Sequence, residues 1–145
     1  MSKLLLLHGI NLNSLGKRDV LHYGHLTLKA IKAITAKEAE KYGFNVISYQ
    51  SNHEGNLVDK LQSETEHCAG IIINPGAFTH YSYGLYDALI DTGLPVVEVH
   101  LSDTHQREPW RKRSVIAPAC IKTIKGKKEQ GYREAVNVLI EYLKP

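Results

Sequence analysis

Cysteine is scarce in this chain. There are two, Cys68 and Cys120, and neither belongs to a Cys-x-x-Cys pair. Two isolated cysteines make no disulfide framework and argue against a zinc or redox motif; both read as buried thiols in a reducing cytoplasm. Long apolar runs are missing as well. The longest, such as Leu4 to Leu7, are four or so residues, whereas a membrane helix needs ~20, so no bilayer span is expected and no membrane partner. The opening Met-Ser-Lys-Leu-Leu-Leu-Leu is too short for the apolar region of a signal peptide, and no small-residue cleavage site follows. No Gly-x-Gly-x-x-Gly and no P-loop lysine occurs, and Gly126 and Gly131 come too late and too sparsely to replace them, so no nucleotide cofactor is supported.

Charge of one sign is also in short supply. Eighteen Lys and Arg against fifteen Asp and Glu leave a net charge of +3. Basic residues gather at Arg107 to Arg113 and at Lys122 to Lys128. The plain reading of such clusters is a solvated face, and the other is attraction of an anionic ligand. A nucleic-acid module would interleave them with exposed aromatics and carry a recognisable motif, and neither is present, so no nucleic-acid partner is expected. What the chain does have is 145 residues with 43% hydrophobic and 23% charged, the size and balance of one folded domain with a single core. No repeat or low-complexity linker divides residues 1–145.

Strand-like and helix-like segments alternate along it. Lys3 to His8, Asn45 to Tyr49, Ile71 to Ile73, Pro95 to Val99 and a fifth segment, Cys120 to Ile124, are apolar or β-branched and short. Between them, apolar residues recur at helical spacing: Leu28, Ile31, Ile34 or Thr35, and Ala39; Leu57, Val58, Leu61 and Thr65; Leu85, Ala88, Leu89 and Thr92; and finally Ala135, Val136, Leu139, Ile140 and Leu143. Tyr42-Gly43 and Asn74-Pro75-Gly76 punctuate the series. This order predicts an α/β, three-layer flavodoxin-like fold with a five-stranded parallel sheet covered on both faces.

In such a sheet ligands bind beyond the carboxyl ends of the strands. There the sequence places His8, Asn11 and Asn13; Gln50, Asn52 and Glu54; Asn74, Thr79 and His80; and His100, Ser102 and Asp103. The connection from Gly9 to His25 is much longer than the 2–6 residues or so usual in α/β units, which marks it as a candidate lid at about 9–25. It carries Lys17, Arg18, Asp19, His22 and Tyr23, and Arg18 could meet Tyr23 if the loop folds over the rim. Glu98 precedes His100 by two residues, on the same strand face, where it could orient or charge the imidazole.

Five motifs in order carry a resemblance over nearly the whole chain: His8-Gly-Ile-Asn-Leu-Asn-Ser-Leu-Gly-Lys-Arg-Asp19 followed by Tyr23-Gly24; Gln50-Ser-Asn-His-Glu-Gly55; Ile72-Ile-Asn-Pro-Gly-Ala-Phe-Thr-His80; Val97-Glu-Val-His-Leu-Ser102 with Arg107-Glu-Pro-Trp-Arg111; and Gln130-Gly-Tyr132. Together they resemble the type II 3-dehydroquinate dehydratases. The resemblance implies a hydro-lyase that converts 3-dehydroquinate to 3-dehydroshikimate through an enolate, in the shikimate pathway of aromatic amino acid biosynthesis or in quinate catabolism, with no cofactor, metal or Schiff base.

By the same resemblance Tyr23 is the proton acceptor. A free tyrosine, with a pKa of ~10, is ionised in only ~1 molecule in 1000 at pH 7, and a neighbouring guanidinium favours the anion; Arg18 resembles the arginine that does this and stabilises the transition state. Asn11 resembles the residue that holds the enolate through an ordered water. His100 resembles the proton donor, with Glu98 its partner. Asn74, His80, the backbone at Leu101 and Ser102, and Arg111 are implied as the substrate grip. Asp87 resembles an acid that completes a neighbouring site, and the family typically forms a homododecamer of trimers.

The chain departs from the family pattern at Ile10 and Val20, where proline is usual, at Tyr81, Tyr86 and Asp103-Thr104, and at Lys125-Gly-Lys-Lys128, which replaces a glycine-rich apolar turn. These positions fall mainly near the expected subunit interface and the last strand, with Ile10 in the first turn and Val20 in the lid, and Arg18, Tyr23 and His100 are themselves intact. The alternative to an enzyme is a non-catalytic polyol-carboxylate binding protein of the same fold.

Overall fold

A computed structural model describes residues 2–23, 25–103 and 107–145, and the side chains of His22 and Tyr23 lie outside the described residues. Five strands, β1 (Ser2–His8), β2 (Phe44–Gln50), β3 (Gly70–Asn74), β4 (Val96–His100) and β5 (Lys122–Lys125), form one sheet in the order β2-β1-β3-β4-β5. Every pairing is parallel. The helices are α1 (Val20–Tyr23), α2 (Leu28–Glu40), α3 (Glu54–Glu64), α4 (Tyr83–Thr92) and α5 (Gln130–Leu143).

The near-continuous apolar strands follow from burial on both faces. Leu4 and Leu6 of β1 join Ile72, Val97 and Val99 in a core with Ile31 of α2 and Val136 and Leu139 of α5. Leu5 and Leu7 point the other way, to Ile71 and Ile73, Leu57 and Leu61 of α3, and Leu85 and Leu89 of α4. Helix starts and stops follow local chemistry. The Thr27 hydroxyl accepts from the Ala30 N–H at 3.1 Å and the Ser82 hydroxyl from the Leu85 N–H at 3.1 Å, the side-chain caps that orphan N–H groups require. Gly93, at φ 67°, ends α4 in the left-handed conformation.

The expected flavodoxin-like architecture is present, with two adjustments. The last strand begins at Lys122, because the Cys120 N–H closes a 3-10 turn onto Ala117 and Ile121 then joins Val96 at the start of the pairing. Cys68 is buried as expected, whereas Cys120 is only partly covered, since it lies in the turn before an edge strand. Among the described residues no helix is long and apolar enough to cross a membrane.

The strand order reverses between β1 and β3, the place where loops diverge and a crevice opens. The loops after these strands nonetheless touch at their roots. The Gly9 N–H donates to the Asn74 carbonyl at 2.7 Å, and a Cβ on Gly9 would fall 2.0 Å from the Pro75 oxygen. Gly76 has φ +62°, and a Cβ there would fall 2.5 Å from the Ile10 oxygen. Backbone meets backbone at both points, so any side chain would prise the crevice floor apart.

Candidate active site

A pocket of about 110 Å³ opens at that switch point. The loop after β1 contributes Ile10, Asn11, Leu12 and Arg18, the segment after β3 gives Asn74, Gly76, Ala77 and His80, and the end of β4 with its following loop gives His100, Leu101, Ser102, Arg107 and Arg111.

Its most constrained part is a carboxylate in the sheet. Glu98 is 0% exposed, between Val97 and Val99. A buried charge survives only if paired and hydrogen-bonded. Glu98 Oε2 lies 2.6 Å from His100 Nε2, the Thr79 hydroxyl donates to the same oxygen, Ser114 Oγ lies 3.0 and 3.1 Å from the two oxygens, and Thr123 Oγ1 approaches Oε1 at 3.4 Å. Burial pushes the Glu98 carboxyl up, but the His100 ring with the Thr79 and Ser114 hydroxyls outweighs it and holds the pKa below the ordinary carboxylate value. Glu98 is therefore an anion at neutral pH. Because a carboxylate only accepts, Nε2 of His100 carries a proton toward it, and Nδ1 is the ring nitrogen that Glu98 does not engage.

His80 is oriented by a different partner. Its Nδ1 lies 2.7 Å from the Arg113 carbonyl, which also only accepts, so Nδ1 bears the hydrogen. Burial lowers the His80 pKa, as do the nearby His100 and Arg111, against the opposing bond to Arg113. The neutral ring then offers Nε2 as an acceptor, suited to a hydroxyl. Trp110 packs edge-on to His80 at 5.1 Å between centroids, and the Arg111 guanidinium lies 4.1 Å over the same indole, while Arg111 Nε donates to Glu108. Arg111 is thus held as a flat, oriented cation on the pocket wall.

Asn74 is fixed on both ends of its amide. Its Oδ1 accepts from the Gly76 N–H at 3.1 Å and its Nδ2 donates to the Tyr132 hydroxyl at 3.1 Å. Tyr132 is fully buried in α5, and burial raises its pKa to about 12 despite that bond, so it stays a neutral strut. Across the pocket, Asn11 adopts φ 69°, a conformation asparagine tolerates. Its N–H donates to Asn52 Oδ1 at 2.9 Å, and Gln50 Nε2 donates to the same oxygen at 3.1 Å and to the Gly9 carbonyl at 3.2 Å. The end of β2 thereby anchors the loop after β1. Among the described residues no three His, Cys, Asp or Glu side chains gather to hold a metal.

Comparison with known proteins fits this arrangement. The family model described as dehydroquinase class II matches residues 2–140. The chain belongs to the class II dehydroquinase family. The 3-dehydroquinate dehydratase of Bacillus mycoides (strain KBAB4) is 47% identical over 144 residues, 99% of either chain. The crystal structure of type II dehydroquinase from Butyrivibrio crossotus DSM 2876 superposes with a TM-score of 0.92 at 38% identity, over 96% of this chain and 97% of that one. That of type II dehydroquinase from Propionibacterium acnes gives 0.92 at 30% identity, over 97% of each.

In this member of the family the fold gathers Asn11, Arg18, Asn74, His80, His100, Leu101, Ser102 and Arg111 around one pocket, with Glu98 behind His100. One expected residue is not part of that cluster. Asp87 is exposed on α4 and does not line the pocket. Tyr23 closes the short helix α1, and its side chain lies outside the described residues. The polar residues after the strands were visible in the sequence, but the supporting hydroxyls of Ser114 and Thr123 and the Tyr132 strut were not. The signal was indirect: a glutamate inside an apolar strand must find donors, yet which donors depends on how loops distant in sequence meet.

Proposed function

We propose that this chain is a 3-dehydroquinate dehydratase, a hydro-lyase of the shikimate pathway that eliminates water from 3-dehydroquinate to give 3-dehydroshikimate. The observation that carries the reading is the buried Glu98 carboxylate fixing His100 on the wall of a pocket lined by Asn11, Arg18, Asn74, His80 and Arg111. A ring held in place by a buried carboxylate is a well-oriented proton donor, and the remaining groups suit a small polyol carboxylate.

The proton to be removed lies beside a ketone and is weakly acidic. Tyr23, as tyrosinate, takes it, with Arg18 favouring the anion. Charge then moves to the carbonyl oxygen as an enolate, which Asn11 stabilises through a water. When the enolate collapses, the carbon–oxygen bond to the departing hydroxyl breaks and His100 protonates that oxygen, so that water leaves. Glu98 stays ionised and holds the ring throughout. Asn74 and neutral His80 bind hydroxyls, while the Leu101–Ser102 backbone, the Ser102 hydroxyl and Arg111 take the carboxylate or the overall anion. Asp87, exposed on α4, completes a neighbouring site in a homo-oligomer, a dodecamer of trimers, working in the cytoplasm.

The test is the ultraviolet absorbance of 3-dehydroquinate mixed with the protein, since the product is a conjugated enone carboxylate. Absorbance should rise, and Tyr23→Phe should abolish the rise while substrate still binds. A flat trace from the folded wild-type protein would transfer the pocket to a binding role.

A further inference from the structure

We propose that Ser114 is a positioning residue for the acid of this site, acting on His100 through the Glu98 carboxylate. The inference rests on the dehydratase reading above and concerns a residue outside the pocket lining.

Ser114 is a donor whose direction is set in advance. Its Oγ accepts from the Ile116 N–H at 3.2 Å and from the Ala117 N–H at 2.9 Å. A hydroxyl has two acceptor lone pairs and one hydrogen. With both lone pairs taken by backbone donors, the hydrogen is left for the other side. On that side are Glu98 Oε1 at 3.0 Å and Oε2 at 3.1 Å, with Thr79 Oγ1 at 2.8 Å. Thr79 already gives its own hydrogen to Glu98. Both hydroxyls therefore converge as donors on one carboxylate, and Ser114 reaches both of its oxygens. That arrangement favours the ionised form and fixes the plane of the carboxylate against which His100 Nε2 is held at 2.6 Å.

The place of Ser114 in the chain gives this bond a second consequence. It follows directly on the segment that carries Arg111 and whose Arg113 carbonyl orients His80. The Val115 N–H next to it donates to the Thr79 carbonyl at 2.7 Å. Ser114 is thus the point where the segment bearing the substrate-binding groups is joined to the carboxylate behind the acid. The titratable groups facing Glu98 are His100 on β4, His80 from the segment after β3 and the Cys120 thiol before β5. Arg111 faces His80. Burial pushes the Cys120 thiol far up, so it stays neutral and does not compete.

The test is the pH dependence of kcat and KM for Ser114→Ala and Ser114→Thr, each in the wild-type and in a Glu98→Gln background. Without the Ser114 donor Glu98 takes up a proton at higher pH, so His100 loses its anionic partner sooner as pH falls. Ser114→Ala should lower kcat about tenfold with KM nearly unchanged, and the acid limb of the kcat profile should move up by about half a pH unit. Ser114→Thr, which keeps the hydroxyl, should restore both. In Glu98→Gln, Ser114→Ala should cost nothing further, because two residues acting through one group are not additive. An unshifted acid limb in Ser114→Ala, or the same fold-loss in both backgrounds, would overturn the proposal. Should Ser114→Ala fail to fold, Ser114→Cys carries the same reading: a displaced limb supports the proposal and a wild-type limb refutes it. A wild-type protein that does not turn over 3-dehydroquinate removes the dehydratase reading itself, whereas an active wild type with an indifferent Ser114→Ala removes only this inference.

Discussion

The two walls of the pocket are built in opposite ways. On the β4 side, Glu98 and His100 are buried, and the carboxylate is gripped by Thr79, Ser114 and Thr123. On the other side, the long segment after β1 is rooted by the buried Leu12 and Leu15, and only its later part lies on the surface: Val20 is 47% and Leu21 80% exposed. It is tied to the body through Lys128 Nζ, which donates to the Leu21 carbonyl at 3.3 Å, and through the Gln50 and Asn52 bonds at its root. The difference teaches a division of labour. An acid that must keep one protonation partner is best fixed in the core. The base we propose, Tyr23, falls instead on the outer part of the segment after β1, beside residues with little buried area, which can open at small cost.

The largest effect should come from Tyr23, the base proposed on the segment after β1, which we propose acts as a lid. Tyr23→Phe should cut kcat by ~1000-fold or more with binding retained, read by the enone absorbance; undiminished turnover would take the base away from the lid and break the comparison. Next, on the fixed wall, Glu98→Gln should lower kcat by about 100-fold. An amide keeps the shape, but its NH2 is a donor where Thr79, Ser114 and His100 also donate. Its cost should appear in thermal stability too, whereas Tyr23→Phe should leave stability near wild type; equal stability losses would deny that one wall is core and the other lid.

A third prediction concerns acid. His8, at the end of β1, is 0% exposed, with Nε2 on Ser48 at 2.9 Å and no partner for Nδ1 among the described residues. Burial, reinforced by Lys32, lowers its pKa from 6.5 to about 3. The folded state holds it neutral while the unfolded chain binds a proton below 6.5, so its contribution is complete above that pH and is lost as pH falls toward the folded value. The slope is about 1.4 kcal/mol per pH unit over that window. His8→Asn should flatten the acid side of the stability curve measured by denaturant titration, and an unchanged slope would place the acid sensitivity elsewhere.

The smallest effect is expected at Lys128, which sits at φ 51°. Lys128→Gly relieves a left-handed lysine, worth about 1 kcal/mol, and adds a comparable amount of unfolded-chain entropy. Stability should therefore barely change. The bond to Leu21 is lost, and KM should rise a few-fold as the lid opens more readily. A large loss of stability instead would make this turn part of the fixed body.

Much of this was legible in the residues. Short apolar strands alternating with 3.6-period stripes led to a parallel sheet; of the polar residues after the strands, Asn11, Asn74, His80, His100 and Ser102 line one pocket, whereas His8 is buried against Ser48 and Glu54 turns to Ser82. The last strand starts two residues later than its composition suggests. Cys120 and Ile121 look as β-prone as Thr123 and Ile124, and only the 3-10 turn at Ala117–Ala119 distinguishes them. Glu98 and His100 could be paired because residues two apart share a strand face. The rest of the site could not be read this way. Ser114 is sixteen residues from Glu98, and Tyr132 fifty-eight from Asn74.

By itself the sequence determined the layers, the order of elements and the edge of the sheet where chemistry would lie. Those follow from local periodicity and from the chirality of parallel connections, which act over one or two elements at a time. The tertiary structure alone decided which hydroxyls satisfy Glu98, which carbonyl sets the His80 tautomer and which tyrosine braces Asn74. Those choices arise where separate loops are pressed together. Burial there makes every unsatisfied donor or acceptor costly, and the partner is whatever polar group the packing brings within reach.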